Sequence, residues 1–293
     1  MKRYGDIAGD GGSDIVAQVE AQAQALRRRL RQVKRIVAVV SGKGGVGKSS
    51  VTAALAAAFA ASRWSVGVLD ADLNGPSMAK MLGIRGRPLA LTPEGVEPPL
   101  SALGVKAMSM DLLLPSDSTP LTWAAATQAE AHTWRGTMEA NAVREFLADT
   151  VWGSLDVLLV DLPPGIERLS TLAGLVTLTG AVVVTIPSEV SHLVVKRSIT
   201  AAREAGVVVL GLVENMAGYA CPDCGAVNAL FSGPGGAVLA QEFGIPFLGA
   251  VPFDPRLAVA CDRGAPVLTE TSAAARALGD VATALRERLT SCE

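Results

Sequence analysis

No run of apolar residues in this chain reaches the roughly 18 that a membrane-spanning helix requires, and the longest runs, such as Ala181 to Ile186, have the length of buried strands. The hydrophobic core of a signal peptide is missing from Met1 to Asp14. No cysteine precedes Cys221, and the four in the chain are unevenly placed, which argues against a disulfide framework and for reduced thiols. These absences lead us to expect a cytoplasmic protein with no membrane span. A dominant charge is lacking too: a formal net charge of -2 with 49% hydrophobic residues fits neither a polybasic nucleic-acid surface nor an acidic disordered tail. No nucleic-acid partner is expected. There is no internal repeat, and His132 and His192 have no partner at ligand spacing, so each reads as a surface or hydrogen-bonded side chain.

What is present is a regular alternation. From Arg35 onward short β-branched runs alternate with helical stretches, the pattern of βαβ units. Strands are expected at Ile36 to Ser41, Val66 to Asp70, Val105 to Met110, Val157 to Asp161, Ala181 to Ile186, Val208 to Glu214 and Phe247 to Pro252. Helices are expected at Ser49 to Ser62, Gly136 to Asp149, Val190 to Ala205 and Ser272 to Leu289. The pattern predicts an α/β fold: a doubly wound, mostly parallel sheet of about seven or eight strands with helices on both faces and the ligand site at the strands' carboxyl ends. One domain over residues 35–293 is expected. Residues 1–34 read as a flexible leader, marked by Gly9, Gly11, Gly12 and Ser13, and a basic helix whose Arg27, Arg28, Arg29, Arg31, Lys34 and Arg35 form a solvated face. Gly83 to Leu103, dense in Gly and Pro, and Leu114 to Trp134, polar and Ala-rich, read as loops or lids.

Chemistry enters at Ser41-Gly42-Lys43-Gly44-Gly45-Val46-Gly47-Lys48-Ser49-Ser50, which follows a strand and opens a helix. From Gly42 to Ser49 the spacing is that of a P-loop. Glycines let successive amides converge on phosphate oxygens, and the helix N-terminus adds a favourable dipole. Lys48 would meet the outer phosphates and the Ser49 hydroxyl would ligate Mg2+. An idle glycine turn would need neither. Asp161, in Asp161-Leu162-Pro163-Pro164-Gly165, ends a hydrophobic strand beside the loop, where a carboxylate can hold a water of Mg2+ and Gly165 can bend toward the γ-phosphate. Asp70-Ala71-Asp72 closes another strand in the same way; Asp72 is the candidate to orient the attacking water, with Asp70 structural.

Cys221-Pro222-Asp223-Cys224-Gly225 is a tight knuckle with two thiols. Such a pair suits zinc or an iron-sulfur cluster, each normally held by four ligands, of which one chain supplies two here. A thiol switch and inert packing are the alternatives, although redox pairs usually open the helix of an early βαβ unit. Cys261 and Cys292 have no spaced partner and read as free thiols.

Lys43, Gly44, Gly45, Gly47 and Lys48 together resemble the deviant Walker A motif of the MinD/Mrp/nitrogenase-iron-protein class of dimeric ATPases. That resemblance implies that Lys43 crosses a dimer interface to the partner's nucleotide. The match lengthens with Asp70-Ala71-Asp72-Leu73-Asn74-Gly75-Pro76-Ser77, Trp134-Arg135-Gly136, Asp161-Leu162-Pro163-Pro164-Gly165, Glu214-Asn215-Met216 and the cysteine knuckle, in that order. From about Arg35 to Pro266 the chain resembles the Mrp/ApbC family of iron-sulfur cluster carriers. The resemblance implies that Asn215 and Asp254 contact adenine and that Cys221 and Cys224 are cluster ligands. It implies an ATP-binding, slowly hydrolysing homodimer that receives a cluster from a donor and delivers it to apo-proteins. Because a cubane needs four thiolates, the [4Fe-4S] cluster would bridge two chains. The chain departs from the family after Gly165, where Ile166-Glu167-Arg168 replaces the usual Thr-Gly-Asp, and at Thr137, where proline is usual. The alternatives are a MinD/ParA-type positioning switch, or a maturation ATPase with a structural zinc. The stretch from Ser272 lacks the apolar face of a membrane anchor.

Overall fold

The computed structural model describes residues 15–114, 119, 128–165, 167–265 and 272–291, without the side chains of 15–16, 18–19 and 128–135. The leader before Ile15, most of Leu114 to Trp134, Ile166 and Cys292 lie outside the described residues, as does the His132 side chain.

The β-branched runs become the strands because each can be buried on both faces. β1 (Ile36–Ser41), β2 (Val66–Asp70), β6 (Val157–Asp161) and β7 (Gly180–Thr185) are buried at every position, as parallel strands covered by helices on both sides must be. With β5 (Lys106–Met108), β8 (Val209–Ala220) and β10 (Phe247–Phe253) they form a parallel sheet in the order β10-β8-β7-β1-β6-β2-β5. β9 (Val227–Asn228) adds an eighth strand, antiparallel to the end of β8. The order reverses at β1, which pairs with β6 on one side and β7 on the other. Chains that wind outward in both directions from one strand open a crevice at its carboxyl end.

α2 (Lys48–Ala61) and α9 (Ala273–Ser291) cover one face; α4 (Gln128–Asp149), α5 (Glu167–Leu175), α6 (Glu189–Glu204) and α7 (Gly236–Phe243) cover the other. Arg35 joins the C-terminal helix to the amino-terminal end of the central strand β1 by donating to the Leu289 carbonyl at 3.0 Å and lying over Trp64.

Several expectations are corrected. The strand expected to stop at Glu214 runs on to Ala220, because Tyr219 and Ala220 pair with Asn228 and Val227 while Met216, at φ 54°, takes up an irregularity in the pairing with β10. The Gly83 to Leu103 segment contains a two-stranded hairpin, β3 (Ala90–Thr92) with β4 (Gly95–Glu97). α4 starts eight residues before the expected Gly136. The basic helix, α1 (Ile15–Leu30), is no wholly solvated face: Leu26 and Leu30 are buried, and the Arg29 Nε donates to the Ala148 carbonyl at 2.8 Å. His192 is neither at the surface nor satisfied. Its Nε2 is buried with no partner among the described residues, and burial holds the ring below its ordinary pKa. Among the described residues, no helix is long and apolar enough to cross a membrane.

Candidate functional site

The P-loop leaves β1 at the reversal point of the sheet and enters α2 at Lys48. Gly47 sits at φ 78°, and a Cβ there would fall 2.2 Å from the Asn215 Nδ2, so both backbone conformation and space demand glycine. Asn215, carried on β8, donates to the Val46 carbonyl at 2.9 Å and thereby seats the loop.

The electrostatic centre is Asp161, fully buried at the end of β6. Its Oδ2 lies 2.7 Å from the Lys48 Nζ and accepts from the Ser49 Oγ at 2.6 Å; its Oδ1 accepts from the Thr52 Oγ1 at 2.7 Å. The structure thus brings three of the residues singled out in the sequence, Lys48, Ser49 and Asp161, into direct contact. Thr52 escaped notice, although its place four residues after Lys48 puts it on the same helix face. Gly165, at φ 114°, donates from its amide to the Ser41 carbonyl at 3.1 Å, so the turn after Asp161 is tied to the P-loop.

Asp70 pairs in register with Asp161 on the neighbouring strand. Burial, and then the charge of Asp161, push its carboxyl up to about 7 against the pull of several donors. Its Oδ2 accepts from the Ser77 amide at 2.8 Å, the Met78 amide at 3.0 Å and the Ser109 hydroxyl at 3.0 Å. Asp70 therefore organises the following loop and α3 (Met78–Met81). Asp72 is half-buried on that loop, where its Oδ1 accepts from the Gly75 amide at 3.3 Å. Beyond it, Asn74 donates to the Glu139 Oε1 at 2.8 Å while Arg168 pairs with the Glu139 Oε2. Glu139 thus links the loop after Asp72 to the first helical turn after Gly165. Neither Glu139 nor Arg168 carries a sequence signal for this link. Lys43 is exposed within the loop, beside Gly44 and Gly45.

A cleft opens on the other side of the P-loop helix, lined by Gly47, Ser50, Asn215, Phe253, Asp254 and Cys261. Asn215 and Asp254 thus come together, 39 residues apart in the chain. Asp254 also caps α8 (Pro255–Arg263), its Oδ1 accepting from the Arg256 amide at 2.9 Å. Cys261 is buried there; desolvation holds its thiol above the ordinary range even though it hydrogen-bonds with Ser50.

The knuckle caps the β8–β9 hairpin. The Gly225 amide donates to the Cys221 carbonyl and the Cys221 amide to the Ala226 carbonyl, each at 2.9 Å, with Gly225 at φ 73°. Amides of Cys224 and Asp223 donate to the Cys221 sulfur and pull its thiol below the ordinary range. Cys221 is half-buried and Cys224 exposed. Such a turn raises the share of thiolate, the form that binds metals. Among the described residues no cluster of three or more His, Cys, Asp or Glu side chains is arranged to hold a metal.

Comparison with known proteins places the chain among its relatives. A family model described as ParA, the NUBPL iron-transfer P-loop NTPase, matches residues 32–286. An iron-sulfur cluster carrier protein of Saccharolobus solfataricus is 44% identical over 251 residues, covering 85% of this chain and 81% of that one. A solved nucleotide-binding protein of Archaeoglobus fulgidus, in complex with ADP, is 37% identical with a TM-score of 0.72, covering 86% of this chain and 95% of that one. The cell-division protein MinD of Aquifex aeolicus, at 21% identity and a TM-score of 0.58 over 86% of this chain and 97% of its own, shares the fold. With most of its length matched in this way, the chain belongs to the NUBPL iron-transfer family of ParA-type P-loop ATPases, the iron-sulfur cluster carriers.

Proposed function

We propose that the protein is an ATP-binding, slowly hydrolysing homodimer that carries a [4Fe-4S] cluster between its two chains, accepts it from a donor and passes it to apo-proteins in the cytoplasm. The observation that carries this reading is the course of β8: one strand bears Asn215 at the cleft beside the P-loop and runs directly into Cys221 at the knuckle. Nucleotide and cargo are served by one element.

In this reading Gly42 to Ser50 cradle the phosphates, and the Lys48 ammonium transfers from Asp161 to the β- and γ-phosphates. Ser49, and Asp161 through a water, would hold Mg2+, which would supply positive charge beside that buried acid and the phosphates. Asp72 orients the attacking water, and Lys43, exposed on the loop, reaches the partner's nucleotide. Asn215 and Asp254 read the adenine. Cys221 and Cys224 contribute two thiolates, and the two-fold axis of a homodimer supplies two more.

Anaerobic reconstitution with iron and sulfide tests this. The expected product is a brown dimer holding one four-iron cluster per two chains, lost in Cys221→Ser and in Cys224→Ser and kept in Cys261→Ser. A stable cluster on a monomer, or one that survives loss of both knuckle cysteines, refutes the bridging site. Tightly bound zinc at one ion per two chains, with no uptake of iron, replaces the carrier reading by that of a structural staple.

A further inference from the structure

Helix α8 touches both halves of the proposed machinery. On its inner side Leu257, Ala258 and Cys261 line the cleft beside Gly47, Ser50 and Asn215, and the Cys261 thiol engages Ser50 in the first turn of the P-loop helix. At its start Asp254 both lines the cleft and caps the helix through the Arg256 amide. The side chain of that same Arg256 points away from the cleft. Its Nη2 donates to the carbonyl of Pro222, inside the knuckle between Cys221 and Cys224. One residue ahead of Asp254, the Phe253 ring stacks on Tyr219, two residues ahead of Cys221, at 6.4 Å between centroids.

We propose that Arg256 is a positioning residue that couples occupancy of the nucleotide cleft to the conformation of the Cys221–Cys224 knuckle. The coupling rests on the assignment of the two sites made above. The knuckle is an exposed hairpin tip held by local bonds, among them the backbone contacts of Cys221 with Gly225 and Ala226 at 2.9 Å, so a guanidinium bound to its central carbonyl from another element limits the orientations the thiols can take. A ligand that draws on Asp254 shifts the cap of α8, and Arg256 lies two residues further on. A displacement at the cleft therefore reaches the knuckle through a single short helix and one side chain. By reciprocity, cargo bound at the knuckle alters nucleotide affinity by the same factor.

The experiment uses the full chain, reduced and without cargo. Alkylation of Cys221 and Cys224 by iodoacetamide is followed by site-resolved mass spectrometry, with and without Mg2+ and a non-hydrolysable ATP analogue whose affinity is measured on the same samples. No cluster is needed, so a failure of cluster assembly and a failure of coupling are seen separately. In the wild type the analogue should change the knuckle rates by at least about fivefold, and in Arg256→Ala by less than about twofold with analogue affinity retained. Arg256→Lys, which keeps a donor for the Pro222 oxygen, should preserve most of the change. Wild-type knuckle rates that ignore the bound analogue overturn the coupling. An Arg256→Ala protein with the full change, or one that no longer binds the analogue, overturns the positioning role. Failure of the wild type to bind the analogue at all defeats the nucleotide reading itself.

Discussion

Removing the P-loop lysine is a familiar way to abolish ATP turnover, but here Lys48→Ala should also destabilise the fold. Lys48 is itself nearly buried, 7% exposed, and its ammonium stands 2.7 Å from a carboxylate that is wholly buried. The in-register neighbour of that carboxylate is a second buried acid, Asp70. Truncating one partner of such a pair leaves an uncompensated charge in low dielectric and costs about 3–5 kcal/mol. The hydroxyls of Ser49 and Thr52 still donate to Asp161, which places the expected loss near the lower end, about 3 kcal/mol. Asp161→Asn should cost a similar amount for the converse reason, the ammonium being left without its anion. In Lys48→Ala/Asp161→Asn both charges are gone, so the combined loss should fall short of the sum by about 2 kcal/mol or more. Equilibrium urea unfolding of the four proteins at pH 7.5, followed by tryptophan fluorescence, measures the cycle. ATP turnover, measured per folded molecule, should remain absent in the double variant despite its recovered stability, which separates the structural duty of the ammonium from the catalytic one proposed for it. Single variants each within about 0.5 kcal/mol of wild type, or strictly additive losses, would refute the buried pair as described.

Asp70 makes a prediction in pH. Its carboxyl is raised to about 7 in the folded chain by burial and by Asp161, above an ordinary value of 3.8, so the folded state holds the proton longer than the unfolded state. The stability it contributes is full below about 4 and is lost as pH rises toward 7, up to about 4 kcal/mol over that window; Asp70→Asn should lack this decline, and parallel pH profiles for the two proteins would show that Asp70 is not the group. For the cleft proposed to take adenine, Asn215→Ala and Asp254→Asn should each narrow the preference for ATP over GTP, because a base-specific donor or acceptor is left unpaired. Asn at 254 keeps the cap of α8, so an unchanged ATP to GTP ratio in both variants removes the two residues from the base site. Thr52→Val, nearly isosteric, strips one donor from the buried Asp161 and should cost about 1.5–3 kcal/mol in urea unfolding; a loss under about 0.5 kcal/mol would mean that the hydroxyl does not serve that carboxylate.

The sequence by itself determined those features whose physics is local. The P-loop could be read because its chemistry needs glycines, a lysine and a hydroxyl at fixed spacing along one turn. The parallel sheet could be read because strands covered on both faces must be almost wholly apolar, as β1, β2, β6 and β7 are. The tightness of the knuckle follows from Pro222 and Gly225 between and after its thiols. The tertiary structure alone decided what depends on elements distant in the chain. Asp161 has Lys48 for a partner 113 residues away because β6 inserts beside β1. The continuation of β8 past Glu214 was not legible, because Tyr219 and Ala220 complete their hydrogen bonds with β9, a partner that the residues of β8 themselves do not announce. α1 looked solvent-facing from its arginines, but two leucines outweigh them once α4 offers an apolar groove, since the long basic side chains can bury their stems and keep their heads in water. Arg256 carried no sequence signal. What gives it meaning is that α8, capped at the cleft, ends up with its first turn beside a hairpin formed more than thirty residues earlier, a coincidence of packing that no local pattern records.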